Sequence, residues 1–395
     1  TQLVASPVVQ LHANRNKIQI LEIHWNGTEI PFHFGSSTVL NVELPRPLRA
    51  NEMAALKIKY LLRPGSLTEH QGLLFDRQTE MLMVENWPYY LRNWIPGNDH
   101  PSDPARFHLT VTAPFKYEAV ATGEKIRNET TTLLTTHEWS TTKSIPTYTF
   151  NLAIGRFETQ LHMLPLALWR SIPIYLHSQF LTSHTWSHVL SDANAVTYFF
   201  NLLGDYPFSK LSFFETRRLS PQGSSSLVIG VKNVVHDAAH QWFGNTVMIA
   251  HWGDLWLSEG FATYLTSLYR EVTTGRLDES WATRPTRPFH FSSRTDPRSI
   301  SIEDSAYFGA SALHDLRVRV AQICQRPLGT DPERELISEI LRDLVTNFGG
   351  RNWSTQTLAI HLNTQLLRVL QRKSCQTDTQ SIGDLIEAWR RHWEI

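Results

Sequence analysis

The chain has 395 residues, 41 % of them hydrophobic and 13 of them Trp, which supports two or three domains with sizeable buried cores and excludes a disordered chain. Lys+Arg and Asp+Glu both number 37, so the formal net charge is zero and the totals carry no basic footprint for nucleic acid or an anionic membrane surface. No run of about 18 apolar residues is present, which argues against a transmembrane helix, and the two cysteines, Cys324 and Cys375, are too few for a disulfide-dense scaffold or a Cys-type zinc finger. Their pairing is open at this level. The chain starts at Thr1 rather than Met, and TQLVASPVVQ lacks the basic start and apolar run of a signal peptide. It therefore reads as a processed or trimmed piece, soluble, with the compartment, cytoplasmic or secreted, left open.

From about residue 15 to 156, short alternating runs punctuated by turn residues read as strands: KIQILEIHW before Asn26-Gly27, then STVLNVELP, ALKIKYLL, ARFHLTVTA, YEAVATG, TTTLLTTHEW and YTFNLAIG. The block WIPGNDHPSDPARF, with Pro96, Pro101 and Pro104, reads as a rigid surface loop. After about residue 157 longer segments carry helical spacing, and helices are expected from Trp186 to Leu203, Leu227 to Gly244, Leu255 to Arg270, Ala310 to Gln325 and Arg334 to Phe348. The fold class expected is α+β, with a β domain over residues 1–156 and a mainly helical domain over 157–395. RLDESWATRPTRPFHFSSRTDPRS, between the third and fourth of these helices, reads as a solvated loop.

The chemistry lies in NVVHDAAHQWFGNTVMIAHWGDLWLSEGFATYL, residues 233–265. On a helix His236 and His240 project from one face a turn apart, so two imidazoles can reach one metal. Alone the pair says little, because about 0.8 HxxxH pairs arise by chance at this His content, and a second pair, His184 and His188, has nothing metal-like nearby. What sets His236 and His240 apart is Asp237 between them and Glu259 at the start of a second amphipathic helix, with residues 241–258 intervening. Three N/O ligands, an open fourth position and a nearby carboxylate are what a zinc hydrolase requires.

HDAAHQWFGN followed by DLWLSEGFATY closely resembles the HExxH, 18-residue spacer, Glu signature of the gluzincin zinc aminopeptidases, the aminopeptidase N type. WIPGNDHPSDPARFHLTVTAP, YTFNLAIGRFE, GDYPFSKL and GASALHDLR resemble further family segments in the family's order, over roughly residues 60 to 350. The resemblance implies a saddle-shaped β-sheet domain followed by a thermolysin-like, mainly helical zinc-peptidase domain. It also implies one Zn²⁺ per chain on His236, His240 and Glu259, and hydrolysis of N-terminal residues from a peptide substrate by zinc-activated water.

The sequence departs from the family at several positions. Asp237 stands where the family keeps its catalytic Glu, the general base that later passes the proton to the leaving amine. Asp is one methylene shorter, and a 1 Å misplacement costs about 100-fold in rate, so reduced activity is expected, with complete loss as the extreme. The family's GxMEN strand has no counterpart in FFETRRLSPQGSSSLVIGVKNVV, where Gly223 to Ser226 take its place and Gly223 and Ser224 become candidate substrate contacts. A second amine-binding position of the family falls on Trp87, and Glu85 and Glu215 are candidate substitute anchors or plain surface carboxylates. The family's oxyanion-donating Tyr falls on Ala306, one residue before Tyr307, which either takes over that role through a shifted loop or is a buried structural Tyr. Asp254 either orients a ligand from behind or caps a helix. The last segment, SIGDLIEAWRRHWEI, looks like the end of the zinc domain, either of a compact member with an open cleft or of a truncated one. A non-catalytic zinc- or peptide-binding member of the same fold is the alternative function.

Overall fold

A computed structural model describes residues 7–63, 71–179, 183–215, 227–229, 231, 233–281 and 295–393. The chain divides into two units, residues 1–142 with 147–156, and residues 143–146 with 157–395.

The first unit is built from strands. β1 (Val8–His12), β2 (Ile18–Trp25), β3 (Thr28–Glu29), β4 (Phe32–Phe34), β5 (Val39–Glu43) and β6 (Leu56–Leu62) form two sheets, ordered β1-β5-β4 and β3-β2-β6. Ile18, Ile23 and Trp25 of β2 share a core with Leu40 and Val42 of β5. The turn from β2 to β3 is Asn26-Gly27, both at positive φ (50° and 87°), with Trp25 opposite Thr28. That left-handed pair matches hairpin twist, and Asn and Gly are the residues that tolerate it.

The unit is completed by β7 (Gly72–Asp76), β8 (Met81–Glu85), β9 (His108–Pro114), β10 (Glu118–Ala121), β11 (Glu124–Thr130), β12 (Leu134–Ser140) and β13 (Leu152–Gly155). These make a four-stranded sheet, β10-β13-β8-β7, and a three-stranded sheet, β11-β12-β9. The proline-rich loop at 94–107 is pinned by Asp99, whose buried carboxylate accepts from Arg92 Nε at 2.9 Å and Thr147 Oγ1 at 3.0 Å.

The second unit opens on a sheet, where the sequence had suggested mainly helix. β14 (Glu158–Ala167) and β15 (Arg170–Ser178) pair antiparallel. α1 (Ser183–Leu203) then leads to β16 (Leu211–Phe214), parallel to β15, and β17 (Leu227–Ile229) adds parallel to β16. All four residues of β16 are buried, and so short an apolar run shows no alternation to read. The helix expected from Leu227 to Gly244 is therefore split into β17 and a two-turn helix, α2 (Val234–His240), with β18 (Val247–Ile249) after a tight turn.

α3 (Leu255–Thr274) is buried on every side along Leu255 to Ala262, a stretch in which Ser258 and Glu259 are the polar residues, and ends at Gly275 with φ 74°. α4 (Ile302–Ile323) begins at Ile302 rather than Ala310, where Ser301 Oγ accepts from Asp304 N at 3.1 Å. The two helices touch through backbone: a Cβ at Gly260 would lie 2.4 Å from Gly309 Cα. α5 (Asp331–Phe348), β19 (Arg351–Trp353), α6 (Thr355–Arg372) and α7 (Thr379–Trp393) follow, and β19 runs parallel to β18. Neither β19 nor α6 is among the elements expected from the sequence. Cys324, at the end of α4, and Cys375, between α6 and α7, form a disulfide.

Behind α3, buried Arg317 of α4 donates to Glu271 (2.8 Å) and Glu333 (2.7 Å). Removing the guanidinium strands two buried carboxylates, so Arg317→Ala is expected to lower unfolding free energy by about 3–5 kcal/mol in urea titrations. Burial raises the Glu271 pKa, but the hydrogen bond and charge of Arg317 outweigh it and hold the carboxyl below its usual value. Its stabilisation is therefore present above about pH 4.3 and lost as pH falls further, a dependence that Arg317→Ala should flatten. Replacing both cysteines by Ser opens a loop with a sequence separation of 51. The expected loss is about 4 kcal/mol on the chain-entropy scale, read from the same titrations.

Candidate metal centre

α2 and α3 bring three side chains to one point. His236 Nε2 and His240 Nε2 lie 3.0 Å apart, and Glu259 Oε2 lies 3.3 Å from the first and 3.7 Å from the second. Ligands about 2.1 Å from a tetrahedral ion are about 3.4 Å from one another, so the spacing fits a single zinc ion. Among the described residues this is the one group of three or more His, Cys, Asp or Glu that could hold a metal.

The donor atoms are also in the right electronic state. His240 Nδ1 lies 3.0 Å from the Phe243 carbonyl oxygen, which can only accept; the neutral ring therefore keeps its proton on Nδ1 and turns the Nε2 lone pair to the trio. The Ser258 hydroxyl lies 3.4 Å from the same Nδ1. Burial raises the Glu259 pKa, yet with the imidazoles protonated the charge of His240 and hydrogen bonds from both rings outweigh it and pull the carboxyl down to about 2. Burial lowers the His236 pKa. For His240 burial acts the same way, but the Glu259 charge reverses it and raises the pKa. The chemistry of this donor set, two imidazoles and an ionised carboxylate turned inward, is that of a divalent cation site.

Asp237 is buried on α2 beside the trio. Burial, with the field of Glu259 and against that of His240, pushes its carboxyl up to about 7; a cation on the trio acts in the opposite sense. His236 also lines a cavity of about 340 Å³, together with Thr263, Trp281, Ala306 and Tyr307. Tyr307 therefore shares a wall with His236, and its hydroxyl donates to Glu303 Oε1 at 3.0 Å. The shifted loop invoked for Tyr307 does not exist, because Ala306 and Tyr307 both lie inside α4.

The ligand-orienting role considered for Asp254 is corrected. Its Oδ1 accepts from Thr355 N and Thr355 Oγ1, both at 2.8 Å, and its Oδ2 lies 3.1 Å from His251 Nε2. It gives α3 no side-chain cap and fastens the start of α6 instead. The Phe243 carbonyl does the orienting, and the sole sequence signal for that turn was the Gly in HQWFGN. Glu215 is also engaged elsewhere, accepting from Ser178 Oγ and Thr185 Oγ1.

Glu85 and Trp87 belong to the first unit. Glu85 ends β8 opposite Gly72; Trp87 sits edge-on to Tyr148 with ring centroids 4.9 Å apart. Between them Asn86, which the sequence reading passed over, is fully buried and accepts from Trp94 Nε1 at 2.7 Å. Gly223 and Ser224 lie outside the described residues.

Comparison with known proteins agrees with this geometry. Residues 2–149 match the Peptidase M1 N-terminal domain and residues 217–301 the Peptidase family M1 domain. The chain belongs to peptidase family M1. Within the family it is 28 % identical over 200 residues to leucyl aminopeptidase of Saccharolobus solfataricus, covering 45 % of this chain and 25 % of that one. It is 26 % identical over 259 residues to aminopeptidase Q of Felis catus, covering 53 % and 26 %. The chain thus spans about a quarter of the length of these relatives. Among solved structures, an M1 zinc metallopeptidase from Deinococcus radiodurans superposes with TM-score 0.74 at 24 % identity, over 97 % of this chain and 85 % of that one. The fold is the α+β fold of M1 peptidases.

Purified protein is expected to retain one Zn²⁺ per chain after dialysis, and His236→Ala to lose it, by elemental analysis. Asp237→Ala should keep it, since Asp237 is not one of the three donors.

Proposed function

We propose that this M1 chain is a zinc-dependent aminopeptidase that hydrolyses N-terminal residues from peptides. The observation that carries the reading is the trio of His236, His240 and Glu259, bordered by Asp237 and continuous through His236 with a cavity. Its three donors would hold the ion, which when bound polarises the scissile carbonyl and makes water a better nucleophile. Asp237 takes the proton from the attacking water as its oxygen bonds to the carbonyl carbon, and returns it to the amine nitrogen as the C–N bond breaks. The Tyr307 hydroxyl, redirected from Glu303, donates to the carbonyl oxygen as charge develops there. Relatives named as aminopeptidases support the reading, as does a mutant of the Deinococcus radiodurans enzyme described as bound to a Tyr-Ser-Ala substrate.

A second reading, a zinc- or peptide-binding protein without turnover, is favoured by two observations. The base is an Asp, whose carboxyl reaches one methylene less far than the family's Glu, and no replacement amine anchor stands out at Glu215. Among the described residues no helix is long and apolar enough to cross a membrane.

Hydrolysis of aminoacyl amides and matching N-blocked peptides by zinc-loaded protein, with His236→Ala as control, separates the two. Turnover confined to free amino termini and lost in the control is expected. Silence on both sets with zinc bound favours the second reading. Asp237→Glu should raise kcat by about 10- to 100-fold if reach alone limits the base.

A further inference from the structure

The turn after α2 holds His240 at both ends. The His240 carbonyl accepts from Asn245 N at 3.1 Å, while its Nδ1 lies 3.0 Å from the Phe243 carbonyl oxygen. For one short turn to present both groups, the chain must reverse between Phe243 and Asn245. It does so at Gly244, whose φ is +117°, a conformation in which a side chain is strained. Gly244 N closes the turn on Val247 O at 2.9 Å.

Space is the second constraint. A Cβ on Gly244 would lie 2.6 Å from Ser258 Oγ and 3.0 Å from His240 Nδ1. Ser258 belongs to α3 and immediately precedes Glu259. The Cβ position is thus wedged between a side chain of α2 that bears one donor and the turn of α3 that bears another. Phe243, Asn245, Ser258 and His240 are all buried, so a Cβ there must turn the Ser258 hydroxyl aside and press on the His240 ring, and interiors packed this tightly transmit such strain.

We infer that Gly244 is a positioning residue for the metal centre. Its missing side chain lets the Phe243 carbonyl fix the His240 imidazole and lets His240 and Glu259 approach to ligand distance. The inference rests on the reading of the trio as a zinc site. It makes the turn after α2 part of what sets metal affinity, although no atom of that turn is a ligand.

The test is zinc affinity by competition with a chromophoric chelator, together with the absorption spectrum of Co²⁺-loaded protein. Gly244→Ala is expected to bind zinc about 10- to 100-fold more weakly, the usual effect of disturbing a ligand's hydrogen-bond partner, with an altered Co²⁺ spectrum. Gly204→Ala is the control for backbone strain: Gly204 also has a left-handed φ (+99°) but nothing within 4 Å of its Cβ position, so its zinc affinity should equal wild type. Gly244→Ala combined with Ser258→Ala removes the 2.6 Å contact and should recover part of the loss. Ser258→Val loads the same space from the α3 side, and is read in place of Gly244→Ala if that variant does not fold. Folded Gly244→Ala or Ser258→Val protein with wild-type affinity overturns the inference, as does an equal loss in Gly204→Ala. A wild-type chain that holds no zinc removes the zinc reading and this inference together, whereas zinc binding insensitive to the variants removes the inference alone.

Discussion

Two imidazole nitrogens and a carboxylate oxygen turned toward one another, with no pair more than 3.7 Å apart, are the constraint that organises the second unit. Such a group is unfavourable to bury, because each donor gives up water and each lone pair faces another. It persists only where the surroundings leave the side chains no alternative. α3 supplies that rigidity by being buried all round at Glu259. α2 supplies it by being short and closed by a turn that grips His240.

The same economy of space shapes the wall beside the trio. Gly260 follows Glu259 directly and meets Gly309 backbone to backbone, so α4 cannot drift relative to the carboxylate. That fixes where Ala306 and Tyr307 stand. A small residue at Ala306 leaves open the volume a larger one would occupy, and Tyr307 borders that volume. Asp254 acts at longer range: by accepting from the first residue of α6 it ties the start of α3 to a helix far along the chain. These contacts concern placement, and the chemistry is left to few groups.

What the sequence revealed about this site followed the range of the interactions. His236, His240 and Glu259 were legible because helical periodicity and a fixed spacer are local. Their grouping is what α2 and α3 enforce. The partner of Asp254 was not legible, since Thr355 is 101 positions away and nothing in DLWLSEG points to it. Nor was the Gly260–Gly309 contact, which exists only once two helices cross. In the first unit alternation located β5, β6, β9 and β12, because each turns one face inward. In the second unit β16 and β17 are short, parallel and without alternation, so β16 left no signal and β17 merged with the helix after it. The start of α4 is hard to place from sequence because Ser301, its cap, lies just past a stretch rich in Pro and Ser.

The disulfide between Cys324 and Cys375 has a topological consequence. Together with the bond from Trp389 Nε1 to the Ala312 carbonyl at 2.8 Å, it fastens the C-terminal segment to α4 both covalently and by packing. All of α5, β19 and α6 lie within the covalent ring so formed. A single cut of the backbone anywhere in that ring leaves both pieces in one molecule. Nicked and intact chains would have the same mass apart from one water, and they would part only under a reducing agent.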